Sequence, residues 1–457
     1  MAGSGFITLL AAPRRGVLPA AISRRPVRVA EGNALPFGEP LKRALELVLA
    51  LAGCSENGAS VMRDFNISLS LSCTPVRFIT SSVVYPAAAL LYIALLVCLG
   101  SVCLAEPPAS QPAPISPAAI DAAIAGGVKF LESSQTAEGC WGTGTVSHGN
   151  EVDSMVPGSH DAFRLGTTAL CVMALREAGE HPAHDRGVQY LLHASDARRD
   201  DGSLIYNTWA NIYVTQAMAE ELLHNPQRDP RLVEVAERNI RLLIAYATYE
   251  GGWNYYDFAA ETEHVSMGPT SFGTAAGLVA LYEARQAKID VPQRLIDTSL
   301  HRLEEMRLSD EDFLYGSDYK YHPRLPANRV RGAVGRTQPA HDAIHLWDPG
   351  NATVAQVVAG LDAFFANHEF LDMGRKRPYP HESWYQTSGY YYYFDHYYAA
   401  RLLADLPEAV RPQYAAKLAA VVVPHQEDDG SWWDYAMWDY HKPYGTAFAI
   451  MTLLRCR

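Results

Sequence analysis

His341, Asp342 and His345 fall within five consecutive positions. Side chains at i and i+4 share one face of a helix, so the two imidazoles can meet one ligand or one hydrogen-bond network. Two imidazoles and a carboxylate are groups that move protons or hold a divalent metal. Structural hydrogen bonding is the commoner use of such a pair, and no metal is the expectation. A second carboxylate–imidazole pair, Asp395-His396, lies inside the run Tyr390-Tyr391-Tyr392-Tyr393-Phe394-Asp395-His396-Tyr397-Tyr398. Trp253-Asn254-Tyr255-Tyr256-Asp257 and Trp432-Trp433-Asp434-Tyr435 repeat the mixture of flat rings and carboxylates. Such a wall suits a polyprenyl chain or stacked sugar rings, with Trp253, Tyr256, Tyr392 and Asp395 as candidate lining residues. The same rings also serve to plug helix junctions. The basic clusters Arg329-Val330-Arg331 and Arg375-Lys376-Arg377 read as solvated loop charge.

The elements that must position these residues are repeated. Gly127-Val128-Lys129-Phe130-Leu131-Glu132-Ser133-Ser134-Gln135 is followed by Gly139-Cys140-Trp141, and Gln426-Glu427-Asp428-Asp429-Gly430-Ser431-Trp432 lies near the other end. In both, an amphipathic run stops at Gln, a turn carries Gly, and Trp follows two residues later. Glycine permits the left-handed backbone of a helix end, and the indole packs there. Weaker copies end at Leu204, Trp253 and Tyr315, and a fifth unit runs from Val354 to Phe365. A second helical pattern follows each turn, at 167–177, 209–223, 271–284, 335–347, 389–403 and 444–454. Six helix pairs without strand-like alternation predict an all-α fold, a closed (α/α)6 toroid spanning 116–457. The two end turns should then be neighbours.

The formal net charge of −12 argues against a nucleic-acid partner, which would need a basic face. Seven cysteines without a CxxC pair supply neither a disulfide framework nor a cysteine zinc site. Residues 1–80 show little periodicity and are expected to be disordered. Residues 83–105 form an apolar run without charge, long enough for a signal peptide or a transmembrane anchor. Arg63 and Arg77 precede it, which places the toroid on the non-cytoplasmic side, exported or anchored to the membrane. A proline-rich linker, 106–115, joins it to the repeats.

The pattern Gly127-x-x-Phe130-Leu131-x-x-x-Gln135-x-x-x-Gly139-x-Trp141 resembles the QW motif of squalene and oxidosqualene cyclases. The wider repeat is similar to the prenyltransferase and squalene-oxidase repeat shared with protein prenyltransferase β subunits. The resemblance covers about 116–457 and implies a terpenoid-cyclase-type toroid whose inner helices line a central cavity for an isoprenoid or other apolar ligand. The cyclase Asp-x-Asp-Asp motif is absent. Gly335-Arg336-Thr337-Gln338-Pro339-Ala340-His341-Asp342-Ala343-Ile344 is similar to the Gly-Arg-x-x-Lys-x-x-Asp-x-Cys stretch of the β subunits, with Pro339 and Ile344 replacing Lys and Cys. By that comparison Arg336 stands at a diphosphate-binding position, and Asp342 and His396 at zinc-ligand positions. The comparison implies that all three face the cavity together, with His345 one turn away. A metal-free Asp342–His396 acid–base pair is expected; zinc, if it bound, would use Asp342, His345 and His396. Fold does not settle function. An isoprenoid-binding toroid leads, with catalysis open. A carbohydrate-active hydrolase or lyase using carboxylates such as Asp257 and Asp395, and a protein-binding scaffold, are the alternatives.

Overall fold

Twelve helices of at least eleven residues carry the chain among the residues that the computed structural model describes, which are 115–148, 159–179, 181–194, 207–225, 227, 229–254, 268–309, 312–322, 324–377, 386–390 and 392–457. They are α1 (Pro117–Ser134), α2 (Ser159–Ala178), α3 (Pro182–His193), α4 (Asn207–His224), α5 (Arg231–Tyr246), α6 (Ser271–Gln286), α7 (Gln293–Glu305), α8 (Thr337–Trp347), α9 (Val354–Ala366), α10 (Tyr392–Leu402), α11 (Arg411–Val422) and α12 (His441–Leu454). All belong to the second of two units into which the chain divides, Met1–Ala105 and Glu106–Arg457. The expected segments 1–80 and 83–105 lie outside the described residues, as does the linker up to residue 114. No helix among the described residues is long and apolar enough to cross a membrane.

The even-numbered helices pack in sequence, α2 on α4, α4 on α6, α6 on α8, α8 on α10 and α10 on α12, and α12 returns to α2. They form a closed ring. Each odd-numbered helix packs outside, α1 on α12 and α2, α3 on α2, α5 on α4, α7 on α6, α9 on α8, and α11 on α10 and α12. Composition explains which helix goes where. Helix α5 buries one stripe, Leu232, Val235, Ala236, Asn239, Ile240 and Leu243, at the three-four spacing of an outer helix. Helix α6 is buried from Ser271 through Leu281, as an inner helix must be.

The repeated turn is one device used three times. The indole N–H donates to a carbonyl ten residues earlier: Trp141 to Leu131 at 2.7 Å, Trp253 to Leu243 at 2.8 Å and Trp432 to Val422 at 2.9 Å. The backbone N–H of each Trp donates to a threonine of the next inner helix, Thr168, Thr274 or Thr446. Gly139 and Gly430 hold φ of 92° and 87°, and a Cβ there would meet the backbone oxygen of Arg186 or Gly126. Trp253 is therefore a helix-end plug, not the lining residue expected of it.

The last turn also closes the ring. Gln426 Nε2 donates to Ala123 O of α1 at 2.8 Å, and Trp432 packs on Gly127, where a Cβ would stand 2.8 Å from the indole. Trp432→Ala is expected to destabilise the protein by about 3–5 kcal/mol, read as a lower urea midpoint. A loss below about 1 kcal/mol would mean that the ring closes without this indole.

Candidate functional site

One face of the ring is built differently from the other. The connections that follow inner helices are short: 179–181, 225–230, 287–292, 348–353 and 403–410. Those that precede them are long: 135–158, 194–206, 247–270, 306–336, 367–391 and 423–440. All six long connections lead to inner-helix N-termini, so the mouth at that end carries the long loops, the kind of segment where binding residues usually sit.

The interior behind the mouth is occupied by the protein's own rings. Trp209 at the start of α4 meets Phe394 of α10 edge-on at 5.9 Å, although α4 and α10 stand on opposite sides of the ring. Phe272 stacks on Trp209 at 6.0 Å, and Tyr213 meets Phe448 of α12 at 5.9 Å. One layer further in, Gln216 of α4 donates to the Tyr397 hydroxyl of α10 at 3.0 Å.

Toward the C-terminal ends of the inner helices lies a girdle of charge. Arg176 of α2 pairs with Glu220 of α4, and Arg455 forks onto Glu177 at 2.6 and 3.0 Å. Arg401 of α10 donates to Asp342 of α8 at 2.6 Å and to Glu283 of α6 at 3.0 Å. Each inner helix, or the residue just after it, contributes a member. Burial outweighs Arg401 and holds Asp342 above the usual carboxylate range.

Asp342 and His396 are thus not brought together. His396 lies on the outward side of α10, its Nδ1 2.5 Å from Tyr392 O and its Nε2 2.9 Å from His368 Nε2, with the Phe364 ring of α9 at 5.0 Å. Tyr392 stacks on His396 at 4.5 Å and faces the same outer cluster rather than the ring centre. His345 turns to Ala352 O at 2.8 Å. The buried Arg336 guanidinium donates to the carbonyls of Gly332, Ala327 and Phe313 and to Thr387 Oγ1. A diphosphate would have to displace those bonds. Asp342, His345 and His396 do not converge, and no group of three His, Cys, Asp or Glu side chains among the described residues is placed to hold a metal. Tyr256 and Asp257 lie outside the described residues.

Asp395 differs. It is fully buried in the first turn of α10, and neither carboxyl oxygen has a hydrogen-bond partner among the described residues. Burial, reinforced by the charge of Asp312 and opposed by Arg336, pushes it well above the usual carboxylate range. Those surroundings favour a protonated acid. Within the mouth's last loop, Asp434 accepts from Tyr393 N at 3.2 Å, Tyr435 N at 2.8 Å and the Tyr444 hydroxyl at 2.8 Å, and burial raises it to about 6.

The mouth also gathers rings that sequence reasoning did not bring together. Half-buried Trp433 lies 4.7 Å from the His148 ring and 5.1 Å from His441, with Lys376 Nζ 4.5 Å from its face. Trp438 meets His160 at 5.0 Å and Phe163 at 6.2 Å. Backbone strain collects here: Lys376, Gln386 and Trp438 hold φ of 63°, 49° and 43°, and all three lie in the two long connections flanking α10 and α12. The adjacent aromatic letters of 432–440 were the signal; their meeting with His148 and His160, nearly 300 positions away, carried none.

No family model matches the chain, and no curated protein matches it. Solved structures similar to it include a possible member of the GH105 family from Klebsiella pneumoniae subsp. pneumoniae, at 13% identity over 77% of this chain and 96% of that one, with a TM-score of 0.46. A family 76 glycoside hydrolase from a bovine Bacteroides thetaiotaomicron strain matches at 13% identity over 74% and 77%, TM-score 0.49. The type II terpene cyclase MstE from Scytonema matches at 16% identity over 74% and 98%, TM-score 0.43. Likenesses of this size carry no argument about this chain, and its closed ring rests on its own helix contacts.

Proposed function

We propose that the chain is a carbohydrate-directed (α/α)6 ring of the hydrolase or lyase kind, which takes a glycan at the mouth and uses Asp395 as its acid. The contact between Trp209 and Phe394 across the ring carries this reading. A polyprenyl chain needs a deep apolar channel, and here the axis is filled by the protein's own rings. What remains is a mouth with half-buried indole faces at Trp209 and Trp433, edged by His148, His441 and Lys376. Flat faces bordered by polar groups suit sugar rings, which stack through their C–H faces and hydrogen-bond at their edges. A buried carboxyl that keeps its proton suits protonation of a glycosidic oxygen. With 83–105 as export signal or anchor, the glycan would be met outside the cytoplasm.

The test is a titration of the full chain with soluble oligosaccharides and, in parallel, with detergent-dispersed isoprenoids, followed by tryptophan fluorescence. A saturable glycan signal is expected, weakened about 30-fold by Trp433→Ala if the indole is worth about 2 kcal/mol. Isoprenoid binding with no glycan response would overturn the proposal and return the apolar-ligand reading.

A further inference from the structure

The connection 306–336 carries a surface platform that the proposed function does not use. Between positions 319 and 331 the sequence has Lys320, Arg324, Arg329 and Arg331 and no acidic residue, in a chain whose net charge is −12. Eight large apolar side chains are exposed among the described residues, and three of them fall in this stretch: Tyr321 at 77%, Leu325 at 40% and Val330 at 37%. Each directly follows an exposed cation, as Lys320-Tyr321, Arg324-Leu325 and Arg329-Val330.

The platform is fixed from beneath. Two helical turns, Ser317–Tyr321 and Pro326–Asn328, and the short helix Val330–Ala333 fold it. His322 O accepts from Leu325 N at 3.0 Å and from Asn328 Nδ2 at 3.3 Å, which draws these three residues into one knot. Buried Asn328 in turn accepts from Tyr315 N through Oδ1 at 2.8 Å. Arg336, fully buried, donates to Ala327 O at 2.6 Å and to Gly332 O. At Gly332 a Cβ would stand 2.8 Å from Ala327 O, so backbone meets backbone there. Lys320, Arg324 and Arg329 have no carboxylate partner among the described residues. Lys320 Nζ lies 5.3 Å from the Tyr321 ring, and Arg329 Nε donates to Arg324 O at 3.2 Å.

The interleaving decides what this surface fits. The centre of a protein–protein interface is depleted of charge. Here a cation stands between each of the three apolar side chains and the next. At a bilayer surface the same order is favourable. Tyrosine and short apolar side chains enter the boundary between headgroup and acyl chain, while lysine and arginine stay level with the phosphates. A soluble acidic polymer would pair with the cations and leave Leu325 and Val330 without a role.

We infer that this platform docks the ring onto an anionic lipid bilayer. Phosphate-bearing headgroups meet Lys320, Arg324 and Arg329, and Tyr321, Leu325 and Val330 enter the interface. Connection 306–336 is one of the six at the mouth end, so docking turns the mouth toward the membrane. Docking stands on the platform's own residues. Only its corollary, that the glycan taken at the mouth is one carried on the membrane, rests on the proposed function. Each cation beside an anionic surface raises partitioning by about fivefold, an effect that salt screens.

The test is oxidative footprinting of the full chain, read by mass spectrometry, with no glycan present. Vesicles of phosphatidylcholine alone are compared with vesicles of phosphatidylcholine and phosphatidylglycerol. Membrane contact by residues 83–105 does not enter, because the signal is read at single side chains. Oxidation of Tyr321 and Leu325 should fall by about fivefold or more on the mixed vesicles and little on the neutral ones. Leu223 near the end of α4 and Val354 at the start of α9, both on the opposite face, should keep their solution rates. The triple variant Lys320→Gln, Arg324→Gln and Arg329→Gln should lose the protection with its helix content unchanged. Tyr321→Ser with Leu325→Ser, read at Val330, should release at lower salt than wild type. Equal protection on both kinds of vesicle, or protection that survives in the triple variant, would overturn the inference. So would protection by a soluble polyuronate matching that on the mixed vesicles, which would make the platform a site for acidic polymer.

Discussion

Arg401→Met should destabilise the ring by about 3–5 kcal/mol at neutral pH. Arg401 donates to both Asp342 and Glu283, and the Asp342 side chain is only 3% exposed. Methionine keeps much of the volume, so the effect isolates charge rather than a cavity. Removing the guanidinium leaves Asp342 buried without a counterion, and its carboxyl, already raised by burial, rises further. The unfolded carboxyl ionises above about pH 3.9 while the folded one resists, so the deficit grows as pH rises from there. Urea unfolding should show wild type and variant converging near pH 4 and diverging by pH 7. Adding Asp342→Asn should recover part of the loss, because a matched neutral pair avoids the unpaired charge. A pH-independent deficit would mean that Arg401 acts through packing on Tyr397, which lies 5.8 Å beneath it, and not through the carboxylates.

That girdle bears on the direction of access. Arg176, Glu177, Glu220, Glu283, Asp342, Arg401 and Arg455 close the ring near the C-terminal ends of the inner helices, on the face with short connections. The long connections, three of the four positive-φ non-glycine residues among the described residues, and the half-buried indoles of Trp209 and Trp433 lie at the opposite end. The two ends divide the work, with charge holding the ring together at one and recognition placed at the other.

The architecture was legible because its signals are local. An indole that reaches ten residues back, a glycine in the left-handed region and a Gln at the helix end are all written within one turn of sequence. Chemistry was less legible because it depends on helix rotation. Asp395 and His396 are adjacent, yet about 100° apart around α10, so one meets the field of Arg336 and Asp312 and the other meets His368 and α9. The resemblance to the prenyltransferase β subunits placed Asp342 and His396 together; in the structure Asp342 meets Arg401 and His396 meets His368. Trp253 shows the same limit, since one aromatic letter serves equally as wall or plug until its indole N–H finds Leu243 O. His368 carried no local signal, its partner lying 28 residues away.

Asp395→Asn should make the protein more stable and less active together. The carboxyl is fully buried without a hydrogen-bond partner among the described residues, and burial with the Asp312 charge raises its proton affinity in the folded state. The unfolded side chain ionises above about pH 3.9, so folding must restore the proton, and each unit of upward shift costs about 1.4 kcal/mol. That cost is absent well below pH 3.9 and grows with pH until the folded group itself ionises. Asparagine has nearly the same shape and never ionises, which removes the cost while keeping the side-chain volume. The variant should therefore melt higher than wild type at pH 7 and at about the same temperature near pH 3. If Asp395 is the acid, turnover of whatever glycan the mouth accepts should fall by about 10²–10⁴-fold, with ligand affinity at Trp433 little changed. Raised stability with full activity would remove Asp395 from the chemistry and leave the mouth as a binding site. Lowered stability would mean that the carboxyl is ionised and paired in the folded protein, against the environment described for it.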